Sequence, residues 1–109
     1  MNPRFTARRD VAYCSAAALM VRSALLEEIG WFDERYAPAF YEDVDLCFSV
    51  RSRGRRVIVE PAATVVHWEG MTHGTGWRTG IHPRHTKASQ DVNRAKFVEK
   101  WHDRLAQLA

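Results

Sequence analysis

The sequence predicts an α/β chain with a small sheet of three short strands flanked by helices. Three observations carry that expectation. The runs RVIVE and ATVVH, rich in β-branched residues and split by Pro61, read as two short strands. The apolar later part of Val11–Arg22 carries no helical caps and reads as a third, buried strand. From about Ser89 to Leu108, the residues Val92, Phe97, Trp101, Leu105 and Leu108 recur at near-helical spacing, the mark of an amphipathic C-terminal helix.

The remaining elements follow in chain order. Residues 1–10 (MNPRFTARRD) read as an irregular lead-in, and residues 11–109 as one folded portion. After the first strand, Ser23 is placed to cap a short helix over ALLEEI, and Gly30 suits the left-handed residue that stops it. Glu27 and Glu28 fall late in that helix, against its dipole. The segment WFDERYAPAFYED is mostly loop, broken by Pro38 and anchored by aromatics. A second helix is expected from about Glu42 to Arg53, closed by Gly54. Four of the six glycines (Gly70, Gly74, Gly76 and Gly80) fall in residues 70–80, so a mobile Gly-rich loop is expected over about 68–86.

Composition limits the function classes. At 109 residues with 46% hydrophobic content, the chain suits a single domain with a core and is not expected to be disordered. The longest apolar run, Ala16–Val21, has six residues, against about 20 for a bilayer span, so no transmembrane segment is expected. No charged-then-apolar leader opens the sequence, and a cytoplasmic location is the expectation. Cys14 and Cys47 make no CxxC pair and read as reduced, buried thiols. The net charge of +3 equals the contribution of Arg4, Arg8 and Arg9; a second cluster, Arg51, Arg53, Arg55 and Arg56, is balanced by acids elsewhere. Such charge could attract phosphate or acidic lipid heads, but no nucleic-acid motif accompanies it, and that partner is not expected.

The stretch Tyr41–Cys47 is the most informative chemically. At about 100° per residue, Glu42, Asp45, Ser49 and Ser52 share a polar stripe, whereas Asp43 falls with Leu46, Cys47 and Val50. A carboxylate on an apolar helix face needs a partner, and the free N–H groups of a first turn supply one. An ionised carboxylate held beside a cleft is what a general base requires; a plain helix cap is the competing reading of Asp43. Asp43 and Asp45 spell D-x-D, but their side chains diverge by about 200° on a helix, so they cannot chelate one ion. Asp45 is expected to be solvated or paired with an arginine. His67 ends the last predicted strand, where a neutral imidazole could bind a metal or a phosphate. His73, His82 and His85 in the loop have no metal-site spacing, and His102 is expected on a solvent face.

With these residues in view, the run CSAAALMVRSALLEEIGWFDERYAPAFYEDVDLCFSVRSRGRRVIVEPAATVVHWEG resembles the acceptor-side half of family 2 glycosyltransferases of the GT-A type. The resemblance rests on Arg22 ending a strand and on G-x-F-D-E at Gly30, Phe32, Asp33 and Glu34. It continues with E-D-x-D-L at Glu42, Asp43, Asp45 and Leu46, then R-x-x-G at Arg51 and Gly54. Pro61 and Ala63 precede a strand ending at His67, and the tail is similar to N-x-x-x-F-x-x-x-W at Asn93, Phe97 and Trp101. It covers about residues 11–102.

The resemblance implies a partial GT-A fold: a small mixed sheet with flanking helices, without the N-terminal nucleotide-binding half. It implies Asp43 as catalytic base, Glu42 as an acceptor-binding residue and His67 as a ligand of the metal–diphosphate unit. Trp68 or Trp77 is placed to stack on a sugar ring. It further implies Mg²⁺ or Mn²⁺ in the intact enzyme, with the D-x-D that carries the ion lying in the absent half, so the fragment itself is expected to hold none. A nucleotide sugar and a carbohydrate or lipid-linked acceptor are the implied partners, at the inner face of a membrane. Ala16 stands where the family usually has Gly, which narrows the pocket. The 109 residues are expected to be an inactive fragment of an inverting transferase. The rival expectation is a non-catalytic module that self-associates through an exposed sheet edge. A third is a small metal-binding protein using His67 and the loop histidines.

Overall fold

The computed structural model describes residues 6–68 and 83–108, with side chains of the second stretch described from residue 87. Its contacts divide the chain into two compact units: one comprises the residues up to Asp33 and Asp43–His67, the other Glu34–Glu42 and the residues from Trp68 on.

In the first unit, strand β1 (Arg9–Asp10) pairs antiparallel with β2 (Ile58–Val59), Arg9 opposite Val59 and Asp10 opposite Ile58. The Val11 N–H donating to the Val57 carbonyl at 2.9 Å prolongs the ladder. The sheet is therefore two-stranded and antiparallel, not the expected three-stranded mixed sheet. The predicted strand before Arg22 is instead a short 3-10 turn, Ala16–Ala18, started by the Ser15 hydroxyl accepting from the Ala17 N–H. ATVVH forms no strand either: Val65 and Val66 are exposed. A strand needs a neighbour to satisfy its backbone groups, and neither segment has one among the described residues.

Helix α1 (Ser23–Ile29) forms as expected, but it starts one residue early for the predicted cap. Arg22 takes the cap position without a side-chain bond, and Ser23 is the first helical residue. Gly30, at φ 91°, ends it; the N–H groups of Gly30 and Trp31 both reach the Leu26 carbonyl at 2.9 Å. The left-handed conformation is what glycine accepts without steric cost. Helix α2 (Glu42–Ser52) ends the same way, with Gly54 at φ 71°. The core of this unit is Cys47, Val50 and Val57, with Val11, Cys14, Leu25 and Ile29 packed against it.

Helix α2 does not show the expected polar stripe to water. Asp45 through Val50 are buried in succession. Asp45 is only 3% exposed, which overturns the solvated expectation and leaves the paired one standing, and Ser49 is only 6% exposed. A helix covered on all sides cannot be read from one-face periodicity.

The second unit holds a 3-10 turn at Glu34–Tyr36 and the helices α3 (Pro83–Lys100) and α4 (His102–Leu108). The C-terminal helix therefore begins before Ser89, and the expected loop over 68–86 is helical from Pro83 onward. Its other part, with Gly70, His73, Gly74, Gly76, Trp77, Gly80 and His82, lies outside the described residues. At Trp101 the helix is interrupted in name only, because Trp101 N–H still donates to Phe97 and Leu105 N–H to Trp101. The expected face holds at Phe97, which is buried, and at Trp101 and Leu105, which are partly so, but not at its ends. Asn93 and Phe97 are buried, whereas Val92 and Leu108 are each more than half exposed.

Candidate functional site

Asp43 is the second residue of α2, where N–H groups lack helical partners. Its two carboxylate oxygens are held differently. Oδ1 accepts from the N–H of Val44 at 2.8 Å, and Oδ2 accepts from the N–H of Ala16 at 3.2 Å, across 27 residues of sequence. The side chain is half-buried. Two main-chain donors fix its orientation, and partial exposure leaves it reachable. The arrangement suits a carboxylate that accepts a proton. It lies one residue inside the helix rather than at the cap position, and the only amide of its own helix that it takes is that of the next residue, Val44.

Glu42, the first residue of α2, is half-buried. Its Oε2 is fully buried and has no hydrogen-bond partner among the described residues. A buried acceptor left unsatisfied costs about 1–3 kcal/mol, which a donor hydroxyl would relieve.

The backbone leading into Glu42 is unusual. Phe40 and Tyr41 have φ of 79° and 71°, a left-handed pair without glycine, which costs of order 1 kcal/mol or more for each residue. Ala37–Pro38 is a cis peptide bond. The surroundings hold this segment in place. Asn93, 3% exposed on α3, points its Nδ2 at three carbonyls: Tyr36 at 2.9 Å, Ala39 at 2.7 Å and Phe40 at 2.9 Å. One turn on, the Phe97 ring packs on Tyr41 with centroids 5.6 Å apart, and Lys96 Nζ donates to the Arg35 carbonyl at 2.7 Å. Sequence reasoning noted Asn93 only as part of a motif and Phe97 as a motif and packing residue of the helix, and assigned neither a role at this turn. The available signal was a polar residue four before Phe97 and eight before Trp101, on the same helical face.

The other predicted residues are placed less specifically. His67 is exposed, at the end of no strand, and forms no hydrogen bond or ion pair among the described residues. Trp68 belongs to the second unit and is 75% exposed. Among the described residues no three His, Cys, Asp or Glu side chains converge to hold a metal ion. The described residues therefore do not fit a metal site by themselves. His102 lies on a solvent face as expected, with Nδ1 3.2 Å from Asp103 Oδ1.

Much of the arginine charge is internally paired. Arg56 makes two bonds to Asp10, at 2.8 and 2.9 Å, which hold the Asp10 carboxyl below its ordinary range. Arg53 pairs with Glu28 at 3.4 Å, and Arg8 with Glu60 at 3.6 Å. A cleft of about 590 Å³ in the first unit is walled by Met20, Arg22, Leu25, Glu28, Arg55 and Ile58; neither Asp43 nor His67 lines it.

Over 57 residues, 52% of this chain, it is 40% identical to a pre-mycofactocin glycosyltransferase of Mycobacterium tuberculosis, of which it covers 12%. Over 68 residues, 62% of this chain, it is 37% identical to an N-acetylglucosaminyl-diphospho-decaprenol L-rhamnosyltransferase of the same organism, of which it covers 21%. The chain thus spans a small part of the length of either relative. No family profile matches the chain, and no solved structure matches it. Part of the chain is accordingly similar to part of proteins that carry the name glycosyltransferase. Among the described residues, no helix is long and apolar enough to cross a membrane.

Proposed function

We propose that this chain is the acceptor-side portion of an inverting glycosyltransferase of the GT-A, family 2 type. The observation that carries the reading is the Asp43 carboxylate, oriented by the Ala16 and Val44 amides and still half-accessible. The partial likeness to two glycosyltransferases supports the same reading. Asp43 accepts the proton of an acceptor hydroxyl as the oxygen attacks the anomeric carbon of a nucleotide sugar. The bond to the nucleotide diphosphate breaks on the opposite face, and configuration inverts. The unpaired Oε2 of Glu42 accepts a hydrogen bond from the acceptor, and exposed Trp68 offers a flat surface to a sugar ring. The acceptor is a carbohydrate or lipid-linked sugar, met on the cytoplasmic side of a membrane.

Donor binding belongs to residues outside this chain, so the 109 residues alone do not transfer sugar. A divalent cation, Mg²⁺ or Mn²⁺, would stabilise the leaving diphosphate in the intact enzyme. Its ligands lie mainly elsewhere, with His67 as this chain's contribution.

The test is sugar transfer by the full-length protein that carries this segment. Asp43→Asn keeps the shape and one of the two amide contacts but removes the base. It should lower kcat by about 10²–10⁴-fold with nucleotide binding retained. Undiminished transfer removes Asp43 from that role.

A second reading, a self-associating module, is favoured by Met20 at 96% and Val66 at 79% exposure in a unit whose sheet has two strands among the described residues. Light scattering on the purified chain would then give a dimer mass.

A further inference from the structure

We propose that Cys14 and Cys47 are an oxidative modification site: a dithiol that hydrogen peroxide converts to an intramolecular disulfide beside Asp43. The inference does not depend on the transfer reading. The two cysteines are 33 residues apart in sequence yet belong to one packed cluster of the first unit. The Cys47 thiol donates to the Cys14 carbonyl at 3.8 Å, and Cys14 packs against the cluster to which Cys47 belongs. Both are free thiols.

Their surroundings divide the chemistry. Cys14 is partly exposed, so it meets the oxidant, whereas Cys47, 2% exposed, is shielded from it. In the first step the Cys14 sulfur attacks one peroxide oxygen, giving a sulfenic acid and water. In the second, the Cys47 sulfur attacks the Cys14 sulfur. The S–O bond breaks, the S–S bond forms, and the sulfenic oxygen leaves as water with the Cys47 proton. Two thiols are oxidised by two electrons and one peroxide is reduced to two waters. Burial makes Cys47 a reluctant thiolate, so the second step is the slower one and speeds up at alkaline pH. Cys14 and the Asp43 carboxylate are the ionisable groups that raise the Cys47 value alongside burial.

The bond would tie the segment before Ala16 to α2. That segment carries the amide that donates to Asp43. Oxidation therefore locks one of the two main-chain contacts that orient the carboxylate.

The experiment treats the purified 109-residue chain with hydrogen peroxide and reads intact mass, free thiols after unfolding, and peptide linkage. Expected are the loss of two hydrogens, the loss of both alkylatable thiols, and a linked peptide pair holding Cys14 and Cys47, all reversed by dithiothreitol. The melting temperature should rise by several degrees, because the cross-link restrains the unfolded chain. Cys47→Ser should stop at a sulfenic acid on Cys14, trapped by dimedone. Cys14→Ser should leave Cys47 alkylatable only after unfolding. Two free thiols after treatment, oxygen adducts without a cross-link, or a bond between two chains would each overturn the proposal. The wild-type mass decides the matter even if a variant fails to fold.

Discussion

The side-chain amide of Asn93 lies 2.7 Å from the carbonyl of Ala39, and the same nitrogen serves the carbonyls of Tyr36 and Phe40. Two N–H groups thus cover three acceptors, one of them shared. This cluster closes the turn that delivers the chain, through two left-handed residues, to Glu42 and α2. Only a planar donor with two hydrogens fits there. A carboxylate would face three carbonyls with nothing to donate, and an apolar side chain would leave them unpaired.

Asn93→Leu should therefore destabilise the chain by about 3 kcal/mol, since buried carbonyls lose their donors. Asn93→Asp should cost more, because it also buries an anion against oxygen. Urea unfolding measures both. A loss below about 0.5 kcal/mol for the leucine variant would mean that the turn does not need the amide.

Cys47 links stability to alkaline pH. Burial, aided by the Cys14 thiol and the Asp43 carboxylate, pushes its pKa from the ordinary 9.0 to about 11. The folded state thus favours the protonated thiol. Its contribution is complete below the unfolded pKa and disappears as pH rises through the folded one. The wild type should lose on the order of 2 kcal/mol between roughly pH 9 and 11 from this group. Cys47→Ala should lower stability at pH 7 but flatten the alkaline slope. Denaturant midpoints at a series of pH values supply the comparison, and equal slopes for the two proteins would reject the linkage.

Asp10 gives the opposite sign at acid pH. The Arg56 guanidinium holds its carboxyl below the ordinary value, so the pair favours folding above the unfolded pKa. That contribution is lost as pH falls through the lowered folded pKa. Because both side chains are exposed, salt should weaken the effect. Carboxyl titration of Asp10 by NMR should show a lowered pKa that returns toward normal in Arg56→Gln. An unchanged titration in the variant would mean that the pair does not persist in water.

Several features were legible in the sequence because their causes are local. Gly30 and Gly54 mark the ends of α1 and α2, since each occupies a left-handed position that other residues disfavour. The place of Asp43 in a first helical turn was legible for the same reason. Its second donor was not, because Ala16 lies 27 residues away and donates from the main chain. Of the three expected strands RVIVE forms, and the other two were misread because strand formation depends on partners as well as on β-branched composition. RVIVE pairs at Ile58–Val59 only, and it pairs with residues from the lead-in. Asp45 misled because the periodicity argument presumes a helix with one wet face, and α2 has none along Asp45–Val50. The histidine assignments leaned on a strand that does not form.

The hand that steadies Asp43 from Ala16 is an amide nitrogen, common to every amino acid but one. Replacement of the methyl at position 16 can widen or crowd the space nearby, yet it leaves the donor in place; proline alone abolishes it. Genetic drift at that position is thus uncoupled from the aim of the carboxylate, and a scan that trims side chains one at a time would pass over the contact without registering it.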